Sequence, residues 1–436
     1  MKDRFDLPVT AASPAAVAKY VAAVDLLLSA NIGADKLLES ATECDPDFAL
    51  AHIARARLLQ LQARVPEAKE AAARAKALCD RLSVREQRHI EAIALAVEGS
   101  AAQALALVRA HVCEYPRDAL PLSLVLGVFG LLGFSGRLDH HEAQLVMLQE
   151  LAPDWGDDWW FLGYLGWAHI ETGEVEAGTR LVERSLEGNP RNAHAAHQRA
   201  HGFFECGDLT GGAEFIEAWL PDYERAGHLH CHLSWHLALF ELARGNSARA
   251  REIYLDSIRP SVAQSVPMLS LADSASFLWR WWLYGITPPL EEHWGEVAAH
   301  ARRHFPSASL AFADLHAGLA EAAILDAQAS SDRIAGLYSL AEEGRLPPGG
   351  VAPALCMGAA ALARGDDAQA ARILEAALDD LPRIGGSHAQ REVFEDSLII
   401  AYFRCGQSAK AEPRLRSRLA RRPSPRDKAW LALCDS

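Results

Sequence analysis

The sequence predicts an all-α protein wound as a right-handed superhelix of helical hairpins, on three observations. Period-two alternation and runs of β-branched residues are nearly lacking, whereas alanine and leucine abound. Glycine breakers recur at Gly173, Gly207-Asp208, Gly245-Asn246, Gly365-Asp366 and Gly406. Each suits the left-handed cap that ends one helix just before the next begins. The breakers are also periodic: Gly173 to Gly207 spans 34 residues, Gly207 to Gly245 spans 38, and Gly365 to Gly406 spans 41.

Small residues then fall where paired helices must approach closely. Near the N-terminus Pro46 is followed by Ala56, Ala68 and Ala75. The longest uncharged run, Ala119 to Gly136, contains Pro121 and four glycines, and is expected as a buried helix and not a membrane span. In the middle, Gly166 and Pro190 flank Gly173. Towards the C-terminus, Gly358, Ala370, Ala377 and Pro382 flank Gly365, with Ala411 and Pro423 in the next unit. Pro347-Pro348-Gly349-Gly350 and Ile384-Gly385-Gly386-Ser387 read as loops. A 34-residue helix–turn–helix unit is the tetratricopeptide period. The expectation is a continuous α-solenoid of about eight to eleven degenerate tetratricopeptide-like hairpins. Residues 1–436 form one domain, with N-terminal repeats over 1–150, central repeats over 151–295 and C-terminal repeats over 296–436.

Composition narrows the function. Half of the 436 residues are apolar and 23% are charged, the balance of a folded protein. A net charge of −14 disfavours nucleic acid as partner, and the arginine-rich stretch Arg414 to Arg426 reads as a helix end and solvated tail. The N-terminus lacks an apolar leader, and eight scattered cysteines without a CxxC pair fit free thiols in a reducing compartment. A cytoplasmic location follows as the expectation.

The central repeats differ from the arms. Ten of the eleven tryptophans lie between Trp155 and Trp294, and eight of the eighteen histidines between His169 and His236. Such concentration suggests a pocket wall rather than a uniform scaffold. His197 with His201, and His232 with His236, are spaced i, i+4, so each pair shares a helix face. Neighbouring helices could aim all four imidazoles at one place. Counted back from Gly207, His197 and His201 fall at positions that face the concave groove; counted back from Gly245, so does His232, with Trp235 beside it. Two chemistries fit. The imidazoles could ligate a metal, with Glu205 or Asp273 as oxygen ligand or orienting group. Alternatively one histidine is a general acid or base, Asp273 or Glu205 fixes its tautomer, and Arg280 or Arg391 holds an anionic group. The bland alternative is four core histidines, each satisfied by a neighbouring carbonyl or hydroxyl. Trp279 suits ligand stacking or core filling, and Asp157 and Asp158 suit helix capping. Ser387 and His388, being adjacent, do not make a nucleophile–base pair; Ser387 is a natural N-cap.

Four segments resemble the tetratricopeptide repeat protein 38 family. Asn192-Ala-His-Ala-Ala-His-Gln-Arg-Ala-His201 is similar to its His-x-x-x-His motif, and His230-Cys-His-Leu-Ser-Trp-His236 to its Cys-His-x-x-Trp-His motif. Asp273-Ser-Ala-Ser-Phe-Leu-Trp-Arg280 resembles an Asp-x-x-Ser-x-Leu-x-Arg element, and Arg383 to Phe394 a C-terminal element that contains His388 and Arg391. Gly202 stands where the family usually carries an apolar residue, which could widen a pocket. The resemblance implies the helical-repeat fold, and its motifs fall on the candidate site of His197, His201, His232, His236 and Asp273. Glu205, Trp235, Trp279, Arg280, His388 and Arg391 form its ligand-binding surround.

Three functions remain open on the sequence. One is a pocket for a small organic molecule or short peptide, with acid–base chemistry as an option. Another is a non-catalytic interaction scaffold holding an extended peptide. The third is a metal-dependent hydrolase or lyase. A divalent metal is allowed but not required, and a second copy of the chain could complete a homodimer.

Overall fold

The computed structural model describes residues 1–347 and 349–434. Helices follow one another in antiparallel hairpins: α1 (Pro14–Leu28) with α2 (Ala34–Cys44), α3 (Ala49–Leu61) with α4 (Val65–Lys76), and α5 (Val84–Glu98) with α6 (Ala101–Glu114). A short α7 (Ala119–Ser123) and a long α8 (His140–Trp155) lead into the centre. There α9 (Trp159–Glu171) pairs with α10 (Val175–Gly188), α11 (Ala193–Cys206) with α12 (Leu209–Trp219), α13 (His230–Ala243) with α14 (Ser247–Ile253), and α15 (Pro267–Leu283) with α16 (Trp294–His304). The C-terminal arm is α17 (Ala311–Ala323) with α18 (Ala327–Glu342), α19 (Val351–Ala363) with α20 (Asp367–Ala377), α21 (His388–Arg404) with α22 (Ser408–Arg421), and α23 (Pro425–Ala432). The protein is an α-solenoid. Among the described residues the only β pairing is one isolated bridge, Lys2 to Pro8, and no helix is long and apolar enough to cross a membrane.

Local chemistry sets the helix ends. Gly207 closes α11 at φ +74°, a left-handed conformation costly to any residue with a Cβ. Asp158 caps α9 by accepting from the amides of Trp160 and Phe161, and Ser387 caps α21 in a capping box with Gln390. Small residues set the helix spacing. A Cβ on Gly166 would lie 2.6 Å from the Gly178 carbonyl oxygen, and one on Gly178 would collide with the Gly166 carbonyl in turn. Gly166→Ala is therefore expected to force α9 and α10 apart and cost about 1–3 kcal/mol, read as a lower urea midpoint with unchanged slope. Gly202 has the same role: a Cβ there would meet Thr179 Oγ1 at 2.8 Å, so its smallness admits α10 and does not widen a pocket.

Two expectations are corrected. The uncharged run Ala119 to Gly136 is not one helix. After α7 the backbone becomes irregular, because Pro121 and the glycines at 127, 130, 133 and 136 deny it helical continuity. Gly127 donates its amide to Gln144 at 2.7 Å, and Phe129 and Phe134 pack edge-on and tilted against Phe312 of α17. The arginine-rich segment is not a solvated tail either. Buried Arg418 and Arg422 and half-buried Arg426 turn inward onto buried Glu392, Asp396 and Asp427. Of the loop expected at 347–350, Pro348 lies outside the described residues.

The superhelix winds tightly enough to touch itself. Ser29 accepts the Ala193 amide at 3.0 Å, Asn31 donates to the Arg191 carbonyl at 2.8 Å, and Tyr223 donates to the Ala30 carbonyl at 2.5 Å. From the other arm, the His388 amide reaches Glu171 at 3.3 Å and Arg383 donates to the Gly136 carbonyl at 3.0 Å. Both arms thus close onto the central repeats. The loop after α7 sits in the concave interior, so the space within is divided and partly walled off.

Candidate functional site

Inside lies a cavity of about 690 Å³. Its inner wall carries Trp160, Tyr164, Trp167, His194, His197, Gln198 and His232, and the loop after α7 supplies Leu126 to Gly130. Exposed residues at Ile32, Asp35, Lys36, Gln62 and Gln264 mark its mouth.

His197 and His201, one turn apart on α11, meet His232 and His236, one turn apart on α13. The ring centroids of His197 lie 4.6, 4.8 and 5.1 Å from those of His201, His232 and His236. His236 lies 4.6 Å from His201 and 4.9 Å from His232. Each ring offers one nitrogen such that all four nitrogens fall within 4.8 Å of one another. His197 and His232 face the cavity, while His201 and His236 lie behind them. Trp167 stacks on His197 and stands edge-on to His201, and Trp235 stacks on His232, so indoles close the tetrad on two sides.

Two carboxylates orient the rings from outside. His232 Nδ1 bonds to Asp273 Oδ1 of α15 at 2.8 Å. His201 Nδ1 lies 3.0 Å from Glu171 Oε1 at the end of α9, close though off the axis of a straight hydrogen bond. A carboxylate beside Nδ1 selects the tautomer protonated there and leaves the Nε2 lone pair directed inward. His201 Nε2 lies 3.0 Å from His197 Nε2, and the buried His236 Nε2 has no hydrogen-bond partner. Burial holds His197 and His236 well below the ordinary imidazole range, and neighbouring histidines push the same way. Those two rings are therefore neutral at physiological pH. This differs from a core of individually satisfied histidines, because His197 and His201 bond to each other and His236 Nε2 is left without a partner.

A second cluster adjoins the first through Glu171. Its carboxylate also faces His141 Nε2 at 3.4 Å and His388 Nδ1 at 3.8 Å, while His388 Nδ1 bonds Glu205 Oε1 at 3.1 Å. Arg421 reaches Glu205 at 3.5 Å. Glu171 is held well below the usual carboxylate range, its burial outweighed by His201, His388 and His141.

The remaining sequence-expected residues do not face the cavity. Glu205 and His388 belong to the second cluster, on the far side of Glu171. Trp235 is buried and donates to Ser276 Oγ at 3.1 Å. Trp279 fills the core and donates to Ser397 Oγ at 2.9 Å. Arg280 donates to the Ala389 carbonyl at 2.6 Å and lies 5.6 Å from the Trp235 ring, bracing α15 against α21. Arg391 donates to the Gly386 carbonyl and approaches His140 Nε2 at 3.3 Å, pinning the loop before α21. Both guanidiniums are spent on protein carbonyls. Burial pushes the Cys231 thiol well up, which makes it a small buried apolar group rather than a nucleophile.

Sequence reasoning missed Glu171, Trp167, Tyr164, His194, His228 and Arg57. His194 and His228 carried a usable signal: each extends its histidine pair by three or four residues, His194 on the same face of α11 and His228 in the turn just before α13. The others reach the site from separate repeats, and nothing in their local sequence marks them.

No known family model matches the chain. Solved structures similar to it include the tetratricopeptide domain of P58(IPK), at 14% identity, covering 91% of this chain and 90% of that one, with a TM-score of 0.22. Another is Naa15/Naa10 bound to HypK-THB, at 13% identity, covering 92% of this chain and 62% of that one, with a TM-score of 0.25.

Proposed function

We propose that this α-solenoid binds a small organic molecule in its interior cavity and holds a divalent transition-metal ion in the histidine tetrad at the cavity floor. The observation that carries the reading is the inward convergence of four buried imidazoles, two of them oriented by carboxylates. Four imidazole nitrogen donors suit zinc, copper, nickel or iron rather than magnesium or calcium, which prefer oxygen. A tetrahedral set at ordinary zinc–nitrogen lengths needs nitrogens roughly 3.4 Å apart, so the widest pair would close by about 1.4 Å, within reach of ring rotation. Substrate or water from the cavity would reach the ion by adding a fifth ligand or displacing a cavity-facing ring, His197 or His232. A bound ion there would polarise a carbonyl or activate water, which is the chemistry of a hydrolase or lyase.

The motifs resembling the tetratricopeptide repeat protein 38 family support the same location. His197, His201, His232 and His236 form the tetrad, Asp273 orients one of its rings, and His388 stands beside Glu171 and Glu205. We propose a relationship to that family from the motif resemblance. A cytoplasmic location fits the free-thiol usage and acidic balance.

Metal analysis of protein purified without a histidine tag tests the reading. About one equivalent of a first-row metal is expected, and cobalt substitution should give visible absorption bands of tetrahedral or five-coordinate Co²⁺. Less than about a tenth of an equivalent after incubation with zinc, nickel or copper and desalting would eliminate the metal.

A further inference from the structure

We propose that Arg57 makes the cavity selective for an organic carboxylate with an apolar body, and that Arg57 binds its carboxylate group. The inference rests on the cavity being a ligand site, as proposed above, and names the class of ligand.

Arg57 projects from α3 into the cavity wall. Its one hydrogen bond runs from Nη1 to Gln60 Oε1 at 2.7 Å, a neutral acceptor, and its buried Nε has no partner. No carboxylate among the described residues lies within ion-pair distance of it, whereas buried Arg85, Arg333 and Arg418 each hold one or more, and buried Arg280 and Arg391 are satisfied by backbone carbonyls. Burial lowers Arg57 to about 10, so it remains cationic at neutral pH. Arg57 is half-buried with its Nε shut off from water, and a partly desolvated cation without a counter-ion is costly to keep unless its counter-ion arrives with a ligand.

The surroundings select the kind of anion. His194 and His228 share this part of the cavity and feel the Arg57 charge; burial first, and that charge in part, hold them at about 3 and about 4. Both are neutral at physiological pH. Tyr164, pushed up to about 12 by burial, stays a neutral hydroxyl. Arg57 is thus the single fixed charge of the inner wall, and the charged residues at the mouth, Asp35 and Lys36, are both exposed to solvent. One planar guanidinium among neutral donors matches a monoanionic carboxylate better than a dianionic phosphate, which would need a second cation. Much of the remaining wall is apolar, with Leu27, Leu58, Leu61, Leu126, Phe129 and Val266, while Gln198, Ser123 and Ser265 add neutral polar groups. A ligand anchored at Arg57 would lay an aliphatic or aromatic body along this wall, towards the tetrad.

The test is calorimetric titration of the full chain with sodium decanoate and, in parallel, decan-1-ol. Decanoate is expected to bind at least about tenfold more tightly than decanol, because a charge-assisted hydrogen bond in a desolvated site is worth that much or more. Arg57→Gln should remove this preference, leaving decanol binding unchanged, and Arg57→Lys should restore part of it. Thermal melting should stay level or rise in Arg57→Gln, because an unpaired, partly desolvated charge is removed; a fall in melting temperature with the preference intact would overturn the proposal. Equal binding of decanoate and decanol to the unaltered protein would refute carboxylate selectivity while leaving the cavity reading intact. Binding of neither would overturn both. Selectivity that disappears on metal removal by a chelator but persists in Arg57→Gln would place the carboxylate on the tetrad and refute the role of Arg57.

Discussion

Replacing His232 and His236 together by alanine is expected to reduce bound divalent metal from about one equivalent to below a tenth, with the helical circular-dichroism signal retained. Two of four donors would go, and the remaining pair on α11 cannot close a coordination sphere without solvent. The rings are small relative to the apolar contacts of α13, where Leu233, Leu237, Phe240 and Leu242 are buried, so the helix should keep its place. Asp273→Asn gives the graded counterpart. It keeps the shape and a hydrogen-bond acceptor beside His232 but removes the negative charge. Outer carboxylates of this kind are worth about 10–100-fold in metal affinity, and that is the loss to expect in competition with a chromophoric chelator. If both variants unfold and the unaltered protein never takes up metal, the tetrad is packing alone. Retention of a full equivalent in the double variant would place the ion elsewhere.

Arg418→Met is expected to destabilise the fold by about 3–5 kcal/mol at pH 7, the usual effect of opening a buried ion pair. Arg418 forks onto both oxygens of Asp427 at 2.9 and 3.1 Å, donates to Asp396 at 2.8 Å and meets Glu392 at 3.1 Å. It therefore ties α21, α22 and α23 together, and its loss leaves three carboxylates facing two arginines. Methionine keeps most of the volume, so the loss reports charge rather than a cavity. The pH dependence has a definite sign. Glu392 is held well below its usual value, its burial outweighed by Arg418, Arg422 and Arg426. A depressed carboxyl contributes stability fully above its unfolded value of about 4.3, and that stability is lost as pH falls towards the folded value. Chemical denaturation should show the gap between Arg418→Met and the unaltered protein narrowing below pH 4. A gap constant from pH 7 to pH 3 would mean that the cost arises from packing.

The two results bear on different layers of the molecule. The ion network closes the C-terminal arm, and that arm carries His388 beside Glu171, which in turn orients His201. Stability at the C-terminus and order at the tetrad are thus joined through α21. A variant that frays α22 and α23 should loosen the second cluster before it disturbs the tetrad itself.

The sequence by itself determined the architecture. Glycine breakers at 34 to 41 residues, and small residues such as Gly166 and Ala370 between them, leave little choice but stacked hairpins, because helix caps and close helix crossings are local demands that particular residues meet. It also marked the histidine pairs, since a spacing of four fixes a shared face before any folding. Only the tertiary structure decided what those faces meet. Asp273 and Glu171 reach the tetrad across 41 and 30 residues of chain, and Arg57 enters the cavity wall from the N-terminal arm. Sequence reading placed the anion-holding arginine at 280 or 391, yet both donate to backbone carbonyls, while Arg57 stands without a carboxylate. It also read the run from Ala119 as a helix and the last arginines as solvated, where the folded chain makes a plug and a buried ion network. The reason is common to all of these. Helix periodicity depends on neighbours a few residues away, whereas counter-charges, cavities and orienting carboxylates depend on how far the superhelix winds before it closes on itself.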